Sequence, residues 1–475
     1  MSLSRLLPGC RFIACDEIMA RRCQDVAAAC RPGDVFVARL TPRGDGHEDV
    51  AEAIARGAVG VVAERMVSTD GVPLCLVRDS DAAFARLCHA LAGDPSREMR
   101  VITVVGTNGK TTTAWLIAAV LAEAGHRVAV LSDLGCLGPD DVEPELVDYA
   151  SPAVLAARLA AFSASGCSHA IVEVSSDMLA ARATAGISCD TVVATGLVAS
   201  ATGRHGTRRA YRGIVARIME SLGEDGCLVT GAGPRHTAEL LAAAPATTTC
   251  LTAGLTAGCD VGARPVEESL FGRTFLATCG GQSVPIGADT PTVPFVRDVV
   301  LALAVGVRYG VTLERGARGI ELTGGVPGRV ERIDRGQDAA VFTDCPSNPH
   351  ACRATLASLR RLTPGRLAVI VDERAATRLG GQRLPRSVAR WCDSCLVVPA
   401  SIAADDPDAA DVEAYARLDR LLSSLGRGDC VVVLGHLPRW PRSPLPDPSQ
   451  PALVQLVDGW LQLAHPAEAP RRRAA

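Results

Sequence analysis

"VVGTNGKTTTAW", residues 104–115, decides how this chain is read. It stands between the apolar, β-branched run "RVITVV" (100–105) and the helix-like run "TTTAWLIAAVLAEAG" (111–125). A buried strand, a glycine-rich turn and a helix start form the setting in which a phosphate loop works. Glycines let the backbone wrap an anion, successive N–H groups point inward, a lysine meets the terminal phosphates, and a hydroxyl holds Mg²⁺. Gly106, Thr107, Asn108, Gly109, Lys110, Thr111 and Thr112 supply these parts. The strict G-x-x-x-x-G-K-[ST] spacing fails, because its first glycine falls on Val104. An ordinary glycine-rich turn, however, leaves Gly-Lys-Thr-Thr at a helix start unexplained.

Working outward, the 475 residues are 48% hydrophobic and 21% charged, which is globular and long enough for two to four domains. The formal net charge is −3, from 49 basic and 52 acidic residues. That balance argues against nucleic acid and anionic membrane as partners. The start, "MSLSRLLPGCRFIACDEIMARRC", does not read as a secretory signal, and no run approaches the roughly 18–20 apolar residues of a membrane span. The 18 cysteines form no dense framework and no Cys/His cluster of zinc-ligand spacing. They read as reduced, mostly buried thiols, so a cytoplasmic protein is expected.

The alternation of strands and helices divides the chain into three blocks. Residues 1–98 carry strand candidates "DVFVA" (34–38) and "VGVVAE" (59–64) around the helical run "HEDVAEAIARG" (47–57). Residues 99–325 hold the phosphate loop and strand candidates at 127–131, 169–174, 190–195 and 226–230. Residues 326–475 follow the glycine- and proline-rich join "GGVPGRVERID" (324–334), with "AAVFTD", "GRLAVIVD", "SCLVVPA" and "DCVVVLGH" as strands between helices such as "HACRATLASLRRL". The class is α/β, with a central parallel sheet covered on both faces and a second doubly wound unit after it.

The variant G-T-N-G-K-T-T resembles the Mur ligase family, and the resemblance runs from about Pro32 to His436. "DGH" (45–47), "ASPAVLAARLAAFSASGCSHAIVEVSSDML" (150–179), "VPGRVER" (326–332) and "DCPSNPHA" (344–351) fall in the family's order, nearest to the UDP-N-acetylmuramoyl-tripeptide synthetases. The resemblance implies an N-terminal UDP-substrate domain, a central ATPase domain and a C-terminal Rossmann-like ligase domain, in a chain expected to be a monomer. It implies ATP and Mg²⁺ as cofactors, and a UDP-MurNAc-peptide and an amino acid as substrates, joined by an amide through an acyl phosphate. Lys110 and Glu173 take the catalytic positions, Thr111 and Glu173 the metal positions, Arg329 and Asp344 nucleotide contacts, and Ser151, Ser175 and Ser176 substrate contacts.

The departures from the family pattern are concentrated at the reaction centre. The motif T-N-[LI]-S-x-D-H-L-D-x-H-G aligns onto Thr195–Gly206, with its Asn at Gly196, its Asp-His pair at Ser200 and Ala201, and its second Asp at Gly203. The family's carbamylated lysine, which bridges two metal ions, falls on Val215. The His of S-S-H is Asp177, and the two Asn of the adenine segment are Val296 and Val299. The arginine of D-N-P-R is missing around Ser401–Ala404, and G-K-G-H-E reads Val433, Leu434, Gly435, His436, Leu437. Three expectations follow: an amide ligase of the tripeptide synthetase type, a weakened or inactive relative that binds nucleotide or partners, or an ATP-using enzyme with changed acceptor chemistry. Single residues have plainer readings as well. Glu173 could end a strand in solvent, Arg329 could form an inter-domain salt bridge, Asp344 could cap a helix, and His205 could be a loop histidine. His436 reads as structural, and Cys345 lacks a neighbouring base for a nucleophilic role.

Overall fold

The computed structural model describes residues 1–41, 44–139, 142–143, 149–197, 205–231, 233–399, 412–435 and 452–464. Among them lie three main sheets. The first runs, in space, Arg11–Ile13, Leu74–Leu76, Gly60–Ala63, Val35–Val37, Cys23–Gln24. Its two middle strands are wholly buried. Helix Ser80–Leu91, capped by the Asp79 carboxylate on the Ala82 N–H (2.8 Å), lays Phe84 and Leu87 onto Val35 and Val62.

The second sheet has 11 strands. Its parallel part runs Val128–Ser132, His169–Glu173, Arg100–Val105, Cys189–Ala194, Leu222–Thr230, Thr249–Gly254. The two-residue period of a strand sends alternate side chains to opposite cores. Ile102 and Val104 meet helices Lys110–Glu123 and Val293–Arg308, while Val101 and Val105 meet Leu155, Leu159 and Phe162 of helix Pro152–Ala164. A pattern buried on both faces has to read as a continuous apolar run, as "RVITVV" does.

The same sheet continues into Val261–Ser269, Gly272–Cys279 and Gln282–Ala288, an antiparallel meander. The third sheet orders Glu331–Ile333, Ala340–Asp344, Cys430–Leu434, Leu367–Asp372, Ser394–Val398, all parallel except the first. Helices Pro349–Leu362 and Glu373–Leu379 cover one face, and Val412–Ser423 and Ala452–Ala464 the other. The fold is thus the α/β, multi-sheet architecture expected from the alternation. The helix expected over 47–57 is shorter, Val50–Ala55.

Candidate functional site

The strand Arg100–Val105 lies between His169–Glu173 and Cys189–Ala194, where chain order reverses across the sheet. A crevice opens at such a switch point beyond the carboxyl ends of the strands, and residues 106–109 sit there. Gly106 and Gly109 take φ of +142° and +80°. A Cβ on Gly106 would lie 2.2 Å from Thr195 Oγ1, and one on Gly109 would lie 2.4 Å from Asp298 Oδ1. Both positions therefore require glycine on two counts, backbone conformation and space. The loop is tied down by Thr195, whose hydroxyl donates to the Asn108 carbonyl (2.6 Å), and by the Thr107 N–H donating to the Gly196 carbonyl (2.8 Å). Helix Lys110–Glu123 starts at Gly109 without a side-chain cap, which leaves first-turn N–H groups for an anion.

Glu173 is the last residue of its strand and only 1% exposed, so it is not a solvated strand end. Its carboxylate accepts from the Thr111 hydroxyl (2.9 Å) and the Asp133 N–H (3.1 Å), and Lys110 Nζ stands 3.6 Å away. Burial pushes this carboxyl above its usual range, and Lys110 pulls the other way. Among the described residues, Arg329 forms no salt bridge. It donates to Thr111 Oγ1 (3.0 Å) and to the Cys345 carbonyl (2.6 Å), joining the loop to the third sheet.

Asp344 ends strand Ala340–Asp344, buried, and accepts from the Thr355 hydroxyl at 2.8 Å. Burial raises its carboxyl, with Thr355 and Arg329 opposing. The helix cap is instead Asn348, which accepts from the Ala351 N–H (3.0 Å). Asn348 also donates to Asn108 Oδ1 (2.6 Å), and His350 Nδ1 lies 3.1 Å from Asn108 Nδ2. The third unit thus touches the loop through two residues of the stretch "DCPSNPHA" (344–351), neither of which the sequence singled out.

The remaining assignments spread around this centre. Thr112 is buried in the first helical turn. Thr107 Oγ1 is 3.0 Å from the Tyr211 hydroxyl. Ser175 caps helix Ser176–Ala180 through the Met178 N–H (3.1 Å). Ser176 Oγ lies 3.0 Å from His205 Nε2, which is also 3.7 Å from Asp177. Ser151 occupies the N-cap position of helix Pro152–Ala164 without capping it.

Val215 is 2% exposed and packed with Tyr211, Ile218 and Met219. Val296 and Val299 are core residues too, and Val433 and Leu434 lie in a wholly buried strand. Ser200, Ala201, Gly203, Ser401–Ala404, His436 and Leu437 lie outside the described residues. Cys345 donates its thiol to the Gly435 carbonyl (2.9 Å), and burial pushes it up to about 12, so it is no nucleophile.

Sequence reading missed Asp298, which is buried on helix Val293–Arg308 and presses on Gly109. A single acid immediately before the apolar run "VVLALAV" (299–305) was the available signal. It also passed over one C-x-x-C pair, Cys392 and Cys395. Burial raises both thiols, to about 11 and about 12, and all 18 cysteines are free. Among the described residues, no group of three or more His, Cys, Asp or Glu could hold a metal. The hard oxygen donors of Thr111 and Glu173 fit one Mg²⁺ shared with phosphates and waters, and no more.

A glycine-rich strand-to-helix loop at a switch point, with a lysine, a hydroxyl and a buried carboxylate, and with a second doubly wound unit reaching across it, is the setting in which a phosphate loop works in the α/β class. Comparison with known proteins is more specific. Residues 104–305 match the model of the Mur ligase middle domain. A UDP-N-acetylmuramyl-tripeptide synthetase of Roseiflexus sp. (strain RS-1) is 30% identical over 420 residues, covering 84% of this chain and 82% of the relative. A UDP-N-acetylmuramoyl-L-alanyl-D-glutamate–2,6-diaminopimelate ligase of Syntrophomonas wolfei is 28% identical, covering 83% and 81%. The solved structure of a ligase of the latter name superposes with a TM-score of 0.69 at 20% identity, over 91% of this chain and 93% of that one. The MurF ligase of Thermotoga maritima in complex with ADP gives 0.59 at 17%, over 94% and 99%. The chain belongs to the Mur ligase family.

Proposed function

We propose that the chain is an ATP-dependent amide ligase of the tripeptide synthetase type, adding an amino acid to a UDP-MurNAc-dipeptide in cytoplasmic peptidoglycan synthesis. The observation that carries this reading is the bond set linking Lys110, Thr111, Glu173 and Arg329 at the loop. Lys110 and the loop N–H groups would bind the phosphates. Thr111 and Glu173 would hold one Mg²⁺, which supplies charge stabilisation at the transferring phosphoryl group. Residues 1–98 would take the UDP end, 99–325 the nucleotide, and 326–475 the amino acid, in a monomer.

A second reading, nucleotide binding with ligation weak or lost, rests on Val215. It fills a core position where the family has the lysine that bridges the second metal. Phosphate release from ATP, measured with UDP-MurNAc-L-Ala-D-Glu and a panel of amino acids, separates the two. Release that depends on an acceptor supports the ligase. Nucleotide binding without release supports the second reading, and no nucleotide binding rejects both. The missing arginine near Ser401–Ala404 further implies that meso-diaminopimelate is a poor acceptor, since its zwitterionic end needs a bidentate partner.

A further inference from the structure

Six of the 18 cysteines lie within residues 1–98. Five of these share one apolar cluster, with Cys75 and Cys88 at its centre and Cys10, Cys15 and Cys23 packed around them. Within it, Cys23 Sγ and Cys88 Sγ stand 3.7 Å apart, although 65 positions separate them in the chain. A disulfide bond measures about 2.05 Å, so the two sulfurs need to close by less than about 2 Å. Two sulfurs are too few for a structural metal site.

Cys88 is buried on helix Ser80–Leu91, and Cys23 is half-buried on strand Cys23–Gln24. That strand is an edge of the first sheet, two residues long and paired on one side only, with Val35 and Phe36. It has the freedom to yield, while the helix is held by its core packing. The next residue, Asp25, accepts from Arg39 Nη1 (2.5 Å), and Asp81 on the helix accepts from Arg39 Nε (2.7 Å). The Arg39 guanidinium also lies over the Phe84 ring, 4.9 Å from its centroid. Arg39 thus bridges the two elements and holds the two thiols side by side. The sulfurs are not equivalent. Cys23 beside it, and then burial, push the Cys88 thiol well above its usual range, so Cys88 stays protonated. Cys23 is the more exposed of the two and is the sulfur that a small reagent meets first.

We propose that Cys23 and Cys88 form a thiol–disulfide modification site, which small disulfides such as oxidised glutathione convert into a bond stapling the edge strand to the helix. The Cys23 thiolate, its proton lost to water, attacks one sulfur of the reagent. The reagent's S–S bond breaks, and one glutathione leaves as its thiolate. Capping Cys23 in this way removes the larger influence that holds the Cys88 proton, so the first step prepares the second. Cys88 then loses its proton to solvent and attacks the Cys23 sulfur, and the second glutathione leaves. Two protein thiols are oxidised to one disulfide while one small disulfide is reduced to two thiols, so atoms and electrons balance. Excess small thiol reverses both steps. The bond forms whether or not the chain is a ligase.

The test is oxidation of the folded full chain by oxidised glutathione and by the smaller hydroxyethyl disulfide. The reaction is quenched in acid, free thiols are alkylated in denaturant, and peptides are mapped by mass spectrometry. The parent should lose two hydrogens and link the Cys23 peptide to the Cys88 peptide, and dithiothreitol should undo the link. Cys88→Ala should stop at the mixed disulfide on Cys23. Cys23→Ser should form neither product, and each variant serves where the other fails to fold. In the oxidised parent, amide exchange of helix Ser80–Leu91 should slow at least about tenfold against the reduced protein. No link in the folded parent with either reagent overturns the site. So does a link that survives Cys23→Ser, or one that joins Cys10 to Cys75, which also lie beside each other. Unchanged helix exchange in the linked protein overturns the staple.

Discussion

Gly109 and Asp298 meet at the turn into the loop helix, and each explains the other. Alanine at 109 would strain a backbone at φ +80° and drive its methyl into the Asp298 carboxyl. Gly109→Ala should cost about 1–3 kcal/mol in urea unfolding, and Asp298→Ala in the same chain should recover part of that loss. Burial holds the Asp298 carboxyl well above its usual 3.8. The folded state thus keeps a proton that the unfolded chain has released, and stability falls as pH rises from about 4. Asp298→Asn has no such proton to lose. Between pH 4 and pH 8 it should lose less stability than the parent, by at least about 1 kcal/mol. A parallel pH dependence in the two proteins would show that the carboxyl ionises freely. Lys110→Ala should weaken binding of a non-hydrolysable ATP analogue about tenfold or more, because a charge-assisted contact is lost. The glycines, Lys110 and Thr111 were legible in the sequence because their chemistry is local. Asp298 was not, because only the packing of a helix brings it from nearly two hundred residues away.

The helix Arg208–Ala216 shows how an element limits chemistry. Tyr211 and Val215, one turn apart, share its buried face, so Tyr211 can reach Thr107 while Val215 enters the core. Restoring lysine at 215 would bury a cation among Ile218, Met219 and Leu222. Val215→Lys alone should lower unfolding stability by at least about 2 kcal/mol. Unchanged stability would mean that the new ammonium finds solvent or an acid, and that the position is open to a metal-bridging carbamate after all. Strands such as Arg100–Val105 and Leu367–Asp372 were legible because both of their faces are buried and their side chains are apolar throughout. The meander Val261–Cys279 was not read as strands. One of its faces is solvated, Pro265 and a register shift interrupt it, and "VEESLFGR" carries no clean alternation.

At the scale of the whole molecule, the three units are tied together by polar contacts. Asp79, beside the first sheet, accepts from Arg182 in the second unit (2.9 Å), and Glu268 in the second accepts from Arg361 in the third (2.5 Å). A nucleotide that binds only the folded chain should raise Tm in proportion to the logarithm of its concentration, and Lys110→Ala should flatten that slope. The order of the three sheets was legible from the alternation of strands and helices, but the contacts between them were not, because they pair residues up to 242 positions apart. The contacts at Asn108 and Thr111 bear on speed as well as affinity. Asn348, His350 and Arg329 hold the side chains of Asn108 and Thr111, so a phosphate that engages either side chain would have to wait for these bonds to open. Association should then level off at high nucleotide concentration, at a rate set by that opening. His350→Ala, which frees one latch and leaves the helix cap in place, should raise this ceiling in stopped-flow mixing. The third unit would then act as a timekeeper, setting how often the loop can be entered.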